Sequence, residues 1–183
     1  MKYQDALTEI HQLWGCANIV VTGPQRSGTT IVAHALAHDL NLTYFDEDDI
    51  GWEGATQNNH TALYQLLATN SGYVIQAPAC AHICHTFPQD TVVVFVRRDI
   101  EDIIASQERI GWQYEHIELE KYPVEYRAQT IAHTKYLFWE SVQRTQIGYA
   151  YEIEYESLCG HPLWADSRKD FAPRQWIVER RIA

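Results

Sequence analysis

Asn18-Ile19-Val20-Val21-Thr22-Gly23-Pro24-Gln25-Arg26-Ser27-Gly28-Thr29-Thr30-Ile31 decides the fold of this chain. Asn18 to Val21 is a short β-rich run that reads as a buried strand. Gly23 to Gly28 then spans the four-residue gap of a phosphate-binding loop. Glycine at both ends allows a tight turn whose backbone N–H groups point inward at an anion. Ile31 to His38 continues as a helix, and the positive end of its dipole adds to the same site. Thr30 holds the hydroxyl position that binds Mg²⁺ or a phosphate oxygen. The lysine that usually follows the second glycine is Thr29 here, and the cation is Arg26, inside the loop. Gly23, Gln25, Arg26, Ser27, Gly28, Thr29 and Thr30 are therefore the expected contacts of an anionic nucleotide.

Strands and helices alternate outward from this loop. Tyr3 to Trp14 carries Ala6, Leu7, Ile10 and Trp14 at helical spacing, and Gly15 is its stop. After the loop helix, Leu42 to Phe45 reads as a second strand, Thr61 to Asn70 as a helix, Tyr73 to Ala77 as a third strand and Thr91 to Val96 as a fourth. Ile100 to Arg109 and about Val124 to Arg144 read as helices, and Tyr149 to Tyr155 as a fifth strand. This order predicts an α/β fold: a three-layer α/β/α domain, 1–183, around a five-stranded parallel sheet. Ligands of such sheets sit at the carboxyl ends of the strands. The loop, the acidic run at Asp46, Pro78 and Arg97-Arg98 all follow strands directly, so they are expected to converge on one cleft.

Composition bounds the function. The chain has 183 residues, enough for one domain with one sizeable core, and 46% of them are apolar, which excludes general disorder. Apolar runs such as Val92 to Val96 are far shorter than the roughly 20 residues that span a bilayer, so no membrane partner is expected. The N-terminus has no apolar signal core, which points away from secretion. Fourteen Lys+Arg stand against 24 Asp+Glu, a net charge of -10, which argues against binding polyanions through overall charge. Cys16, Cys80, Cys84 and Cys159 are too scattered for a disulfide framework, so a reducing, cytoplasmic setting is expected. Cys80-Ala81-His82-Ile83-Cys84-His85 brings soft ligands together, but no second cysteine pair closes a zinc site. Cys80 and Cys84 read as small hydrophobes sharing one helical face, and His34 and His38 as ordinary helix residues.

Four further features bear on chemistry. Arg97 and Arg98 end the fourth strand, Ser106 lies eight residues beyond Arg98, and Arg109 ends the helix that follows. The acidic run Asp46-Glu47-Asp48-Asp49 follows the second strand; a carboxylate there can take or orient the proton of an acceptor hydroxyl, and Asp46 and Asp48 are the candidates. Gln76-Ala77-Pro78 follows the third strand. From Arg168 onward five Lys/Arg stand against two Asp/Glu, with Phe171 and Trp176 among them. Arginine and aromatic rings together can grip phosphates and stack bases.

From about Asn18 to Leu158 the chain resembles the P-loop NTPase-like transferases, between small kinases and sulfotransferases. The Arg26-Ser27-Gly28-Thr29-Thr30 form of the loop is similar to that of PAPS-dependent sulfotransferases. The resemblance implies that Arg98 and Ser106 bind the 3′-phosphate of PAPS, and Tyr155-Glu156-Ser157-Leu158 resembles the element after their last strand. Against it, Gln76 replaces the lysine many of them carry two residues before Pro78, and they usually need more chain. Phe45-Asp46-Glu47-Asp48 resembles small-molecule kinases of the shikimate kinase type, and Arg109 sits where nucleotide kinases carry an arginine that closes over the phosphates. The loop and Ser106 to Trp112 also resemble phage 5-hydroxymethyluracil DNA kinases.

The reading that results is a kinase. It moves the γ-phosphoryl group of ATP or another nucleoside triphosphate, with Mg²⁺ at Thr30, to a hydroxyl on a small molecule, a nucleotide or a hydroxymethylated DNA base. Asp46, Asp48, Arg26, Arg98 and Arg109 carry the chemistry, and Arg97, Arg98 and Ser106 join the loop in binding the donor. The alternatives are a PAPS-dependent sulfotransferase and a non-catalytic nucleotide-binding protein.

Overall fold

The computed structural model describes residues 1–13, 18–49, 60–69 and 72–164. Trp14, Gly15, Cys16, Asn70 and the basic stretch from Arg168 lie outside the described residues. The described helices are α1 (Tyr3–Gln12), α2 (Thr29–Asp39), α3 (Thr61–Leu67), α4 (Ile100–Arg109), α5 (Glu115–Glu120) and α6 (Ile131–Ser141). The strands are β1 (Ile19–Thr22), β2 (Thr43–Phe45), β3 (Tyr73–Gln76), β4 (Val92–Arg97) and β5 (Tyr149–Glu154). All five form one parallel sheet in the order β2-β3-β1-β4-β5, with Ile19 opposite both Val74 and Val92.

Every residue of β1 is buried, as a strand covered on both faces requires. Strand pleating sorts the side chains into two cores. Val92, Val94 and Val96 face α1 and α2, with Ile19, Val21 and Val74 beside them. Val93 and Phe95 face the other way, with Val20 and Ile75, against α3 and α6. Trp139 of α6 stacks on Phe95 at 4.5 Å. Helices thus cover both faces of the sheet.

Two local expectations change. The helix expected from Val124 to Arg144 is a 3-10 turn (Val124–Tyr126), an extended link, α6, and a second 3-10 turn (Gln143–Thr145). Pro123 and Arg127 are extended on either side of the first turn. Thr130 then starts α6 afresh, its side chain accepting the His133 N–H. α5 is an added element just before it. Cys80 and Cys84 lie in 3-10 turns, Pro78–Cys80 and Cys84–Thr86, rather than on a helix face; both are buried.

Candidate functional site

The chain leaves β1 toward β2 on one side and leaves β4 toward β5 on the other. Neighbouring strands whose connections diverge open a crevice at their carboxyl ends, where open α/β sheets bind ligands. The loop 23–28 follows β1, and Arg97-Arg98 ends β4, so both rim this crevice.

The loop is held in a conformation few sequences adopt. Gly23 has φ 144° and Gly28 φ 98°, and Arg26 between them also has a positive φ, 74°. A Cβ on Gly23 would lie 2.8 Å from the Val96 carbonyl oxygen, and one on Gly28 2.2 Å from the Tyr155 ring. The Ser27 N–H closes the turn on the Pro24 carbonyl at 3.0 Å. Ser27 is buried behind Gly23, its hydroxyl without a hydrogen-bond partner. Gly28 begins α2 with no side-chain cap and no acid in the first turn. The first N–H groups of α2 therefore keep their affinity for an anion. Thr29 is buried and accepts from Gln76 Nε2 at 3.4 Å, while Tyr44 donates to Gln76 Oε1 at 3.3 Å. Thr30 is half-buried, and its hydroxyl makes no side-chain hydrogen bond among the described residues.

Three arginines converge beside the loop. Arg26 Nε and Arg109 Nη2 both donate to Ser106 Oγ, at 3.1 and 3.2 Å. Arg98 Nη1 donates to the Arg26 carbonyl at 3.2 Å, and its guanidinium lies over the Tyr155 ring. Asp102 approaches Arg98 to 3.8 Å. Desolvation, then the charges of Arg109 and Arg98, push the Arg26 pKa below its ordinary value. Positive charge is thus in excess at this point of the crevice. Arg97 faces elsewhere: it binds Glu152 and Glu140, each at 2.5 Å, and covers the Tyr136 ring.

The acidic run divides its roles. Asp46 Oδ1 accepts the N–H groups of Asp48 and Asp49, each at 3.0 Å, and so shapes the turn. Asp48 is exposed. Glu47, between them, reaches inward and accepts the Ala79 N–H at 2.7 Å. Burial pushes its carboxyl up to about 7; the Ala79 hydrogen bond and the charge of Lys135 act in the opposite direction.

The sequence alone does not distinguish Glu47, nor the charged residues around it. Lys135 of α6 is fully buried and donates to Pro78 O at 2.8 Å and Gln25 Oε1 at 2.7 Å. Its ammonium also lies 3.3 Å from Glu118 Oε2, and Lys121 donates to Glu118 Oε1 at 2.8 Å. Gln107 Nε2 donates to the Gln25 carbonyl at 3.0 Å. Lys135 did leave a trace in the sequence. It lies four residues from both Ile131 and Trp139, on the face that an amphipathic helix buries.

No protein-family model, no curated protein and no solved structure matches this chain.

A second cluster lies apart from the crevice, at the end of α2. Asp39 accepts from Tyr3 Oη at 2.9 Å and meets His38 Nδ1 at 2.8 Å and His161 Nε2 at 3.2 Å. His161 Nδ1 accepts the Leu163 N–H at 3.1 Å, so the ring proton is on Nε2 and points at Asp39. A metal at Nε2 would require the opposite tautomer, so the cluster reads as a strap from the segment after β5 to α2.

Proposed function

We propose that this chain is a P-loop-type kinase that moves the γ-phosphoryl group of a nucleoside triphosphate to a hydroxyl acceptor. The observation that carries this reading is Glu47: a carboxylate turned inward onto the Ala79 N–H, joined to Gln25 of the glycine loop through the Pro78–Ala79 peptide and Lys135, and pushed by burial up to about 7. A general base works best with a pKa near the working pH. In this reading the base is Glu47 rather than Asp46, which is committed to the turn, and exposed Asp48 is the alternative base.

In this reading the N–H groups of the loop and of the α2 N-terminus bind the donor phosphates. Arg26, Arg98 and Arg109 face the charge that develops on transfer. Ser106 orients two of these guanidiniums. Thr30, with its uncommitted hydroxyl, would hold Mg²⁺, which offsets the charge of the phosphate oxygens when bound. Glu47 orients the acceptor hydroxyl and takes its proton. The acceptor is a small molecule, a nucleotide or a hydroxymethylated base, and the free thiols of Cys80, Cys84 and Cys159 suit a reducing, cytoplasmic setting.

One observation favours a second reading. Arg98 and Ser106 both engage Arg26, an arrangement that also suits the 3′-phosphate of PAPS in a sulfotransferase. Thermal melts with ATP-Mg²⁺, GTP-Mg²⁺ and PAP in parallel separate the two, since only a ligand that binds the folded chain raises its melting temperature. Stabilisation by ATP or GTP, followed by Mg²⁺-dependent transfer of labelled phosphate to hydroxyl acceptors including hydroxymethylated DNA, is the expected result. Stabilisation by PAP alone would replace the kinase with a sulfotransferase. Nucleotide binding without transfer from either donor would make the chain a binding protein.

A further inference from the structure

Lys135 is a lysine inside a core helix, 1% exposed. Burying an ammonium is costly unless its protons are bonded. Here two protons have hydrogen-bond acceptors, Gln25 Oε1 at 2.7 Å and Pro78 O at 2.8 Å, and the Glu118 carboxylate lies 3.3 Å away as a charge partner. These partners belong to the phosphate loop, the turn after β3, and α5. Stability does not call for this arrangement, since well-packed apolar side chains often replace a buried ion pair without loss. What the ammonium does that a methyl group cannot is hold polar groups from separate elements in one register. Gln25 is gripped twice, through its side chain by Lys135 and through its carbonyl by Gln107. The Pro78 carbonyl that Lys135 holds is one end of a peptide group whose N–H end is held by Glu47.

We infer that Lys135 is a positioning residue joining the two halves of the site: through Gln25 it sets the loop that faces the donor, and through the Pro78–Ala79 peptide it sets Glu47 on the acceptor side. The inference rests on the kinase reading above. Lys135 itself touches neither substrate.

The test is a double-mutant cycle on the full chain, with donor affinity measured by calorimetric titration of ATP-Mg²⁺. Lys135→Met alone leaves the buried Glu118 with Lys121 as its remaining cation, so Lys135→Met/Glu118→Gln serves as a second form in case the single variant does not fold. Gln25→Met is expected to weaken donor binding about tenfold. The Lys135 variant is expected to weaken it equally, and in addition to lower kcat at saturating donor about tenfold or more, because Glu47 also loses its setting. Combining it with Gln25→Met should weaken donor binding no further, since residues acting through one contact are not additive. Additive losses of affinity, or a Lys135→Met/Glu118→Gln chain with wild-type affinity and kcat, would overturn the inference and leave the kinase reading standing. A purely structural lysine would lower the melting temperature and leave both quantities unchanged. A wild-type chain that binds no nucleotide overturns the kinase reading and this inference together.

Discussion

Glu47 and Lys135 hold the two ends of one peptide group. Glu47 Oε1 accepts the Ala79 N–H at 2.7 Å, and Lys135 Nζ donates to the Pro78 carbonyl at 2.8 Å. Each charge meets the complementary end of the peptide dipole. Burial still dominates at Glu47, but the N–H bond and the nearby ammonium limit the rise, and the carboxyl ends at about 7.

The first prediction concerns that carboxyl. A base works only when deprotonated, so kcat/KM for phosphoryl transfer should rise with pH through about 7 and then level off. Glu47→Gln should lower kcat by about 100-fold or more while ATP-Mg²⁺ binding is kept. A pH profile that is flat across neutrality, or wild-type turnover in the Glu47→Gln variant, would return the base role to Asp48 or remove it.

The second prediction separates two adjacent arginines. Arg97 is bound to Glu140 and Glu152, while Arg98 lies along the loop and Tyr155. Arg97→Met should cost about 1 kcal/mol of stability, since Glu140 is exposed and Glu152 keeps Arg144 as a cation, and should leave nucleotide affinity unchanged. Arg98→Met should weaken nucleotide binding by about tenfold or more with a smaller effect on stability. Thermal melts and titrations on both variants check this; equal effects on affinity would put Arg97 in the site.

Much of this architecture was legible in the sequence alone. β1 and β4 were readable because each is an apolar run buried on both faces, and the edge strands β2 and β5, half-exposed, because they are rich in aromatic and β-branched residues. The loop was readable because Gly23 and Gly28 stand at positions that only glycine fits, one for a carbonyl and one for the Tyr155 ring. Thr130 was not readable as a helix start, because a threonine in a mixed stretch such as Arg127-Ala128-Gln129-Thr130-Ile131-Ala132 is compatible with continued helix; only its bond to the His133 N–H settles it. Arg97 and Arg98 share the same local sequence, and only the positions of Glu140 and Glu152, on α6 and β5, separate their roles. Glu47 was hidden among four consecutive acids, because which of them turns inward depends on the Pro78–Ala79 turn, distant in sequence.

The third prediction tests the loop glycine. Gly28 combines φ 98° with a Cβ position 2.2 Å from the Tyr155 ring. Gly28→Ala therefore meets two independent costs, backbone strain of about 1 kcal/mol or more and a clash that the buried Tyr155 must relieve. A loss of about 2–4 kcal/mol in chemical denaturation is expected. Adding Tyr155→Leu should recover the clash but not the strain. Full recovery in the double variant would mean that the left-handed conformation carries no cost here.

The fourth prediction concerns the strap at Asp39. Burial alone would raise this carboxyl, but hydrogen bonds from His38, Tyr3 and His161 outweigh it and hold the pKa below the ordinary aspartate value. A carboxylate with a depressed folded pKa contributes stability that is fully present above its unfolded pKa, about 3.9, and is lost as pH falls through the folded value. Asp39→Asn removes the charge these donors favour. Near neutral pH the variant should therefore melt a few degrees below wild type. That gap should narrow as pH falls from about 4 toward 2, because wild-type Asp39 then becomes protonated and neutral as well. Amide hydrogen exchange at residues 161–164 should quicken in the variant at neutral pH, since His161 loses its charged acceptor. The strap also predicts the response to metal. With the His161 ring proton on Nε2 and Nδ1 bonded to the Leu163 N–H, Zn²⁺ should leave the melting temperature unchanged. A melting gap that is constant across the acid range would show that the three bonds do not favour the ionised form. A clear rise with Zn²⁺ that disappears in His161→Ala would turn the strap into a metal site and reverse the tautomer argued for it.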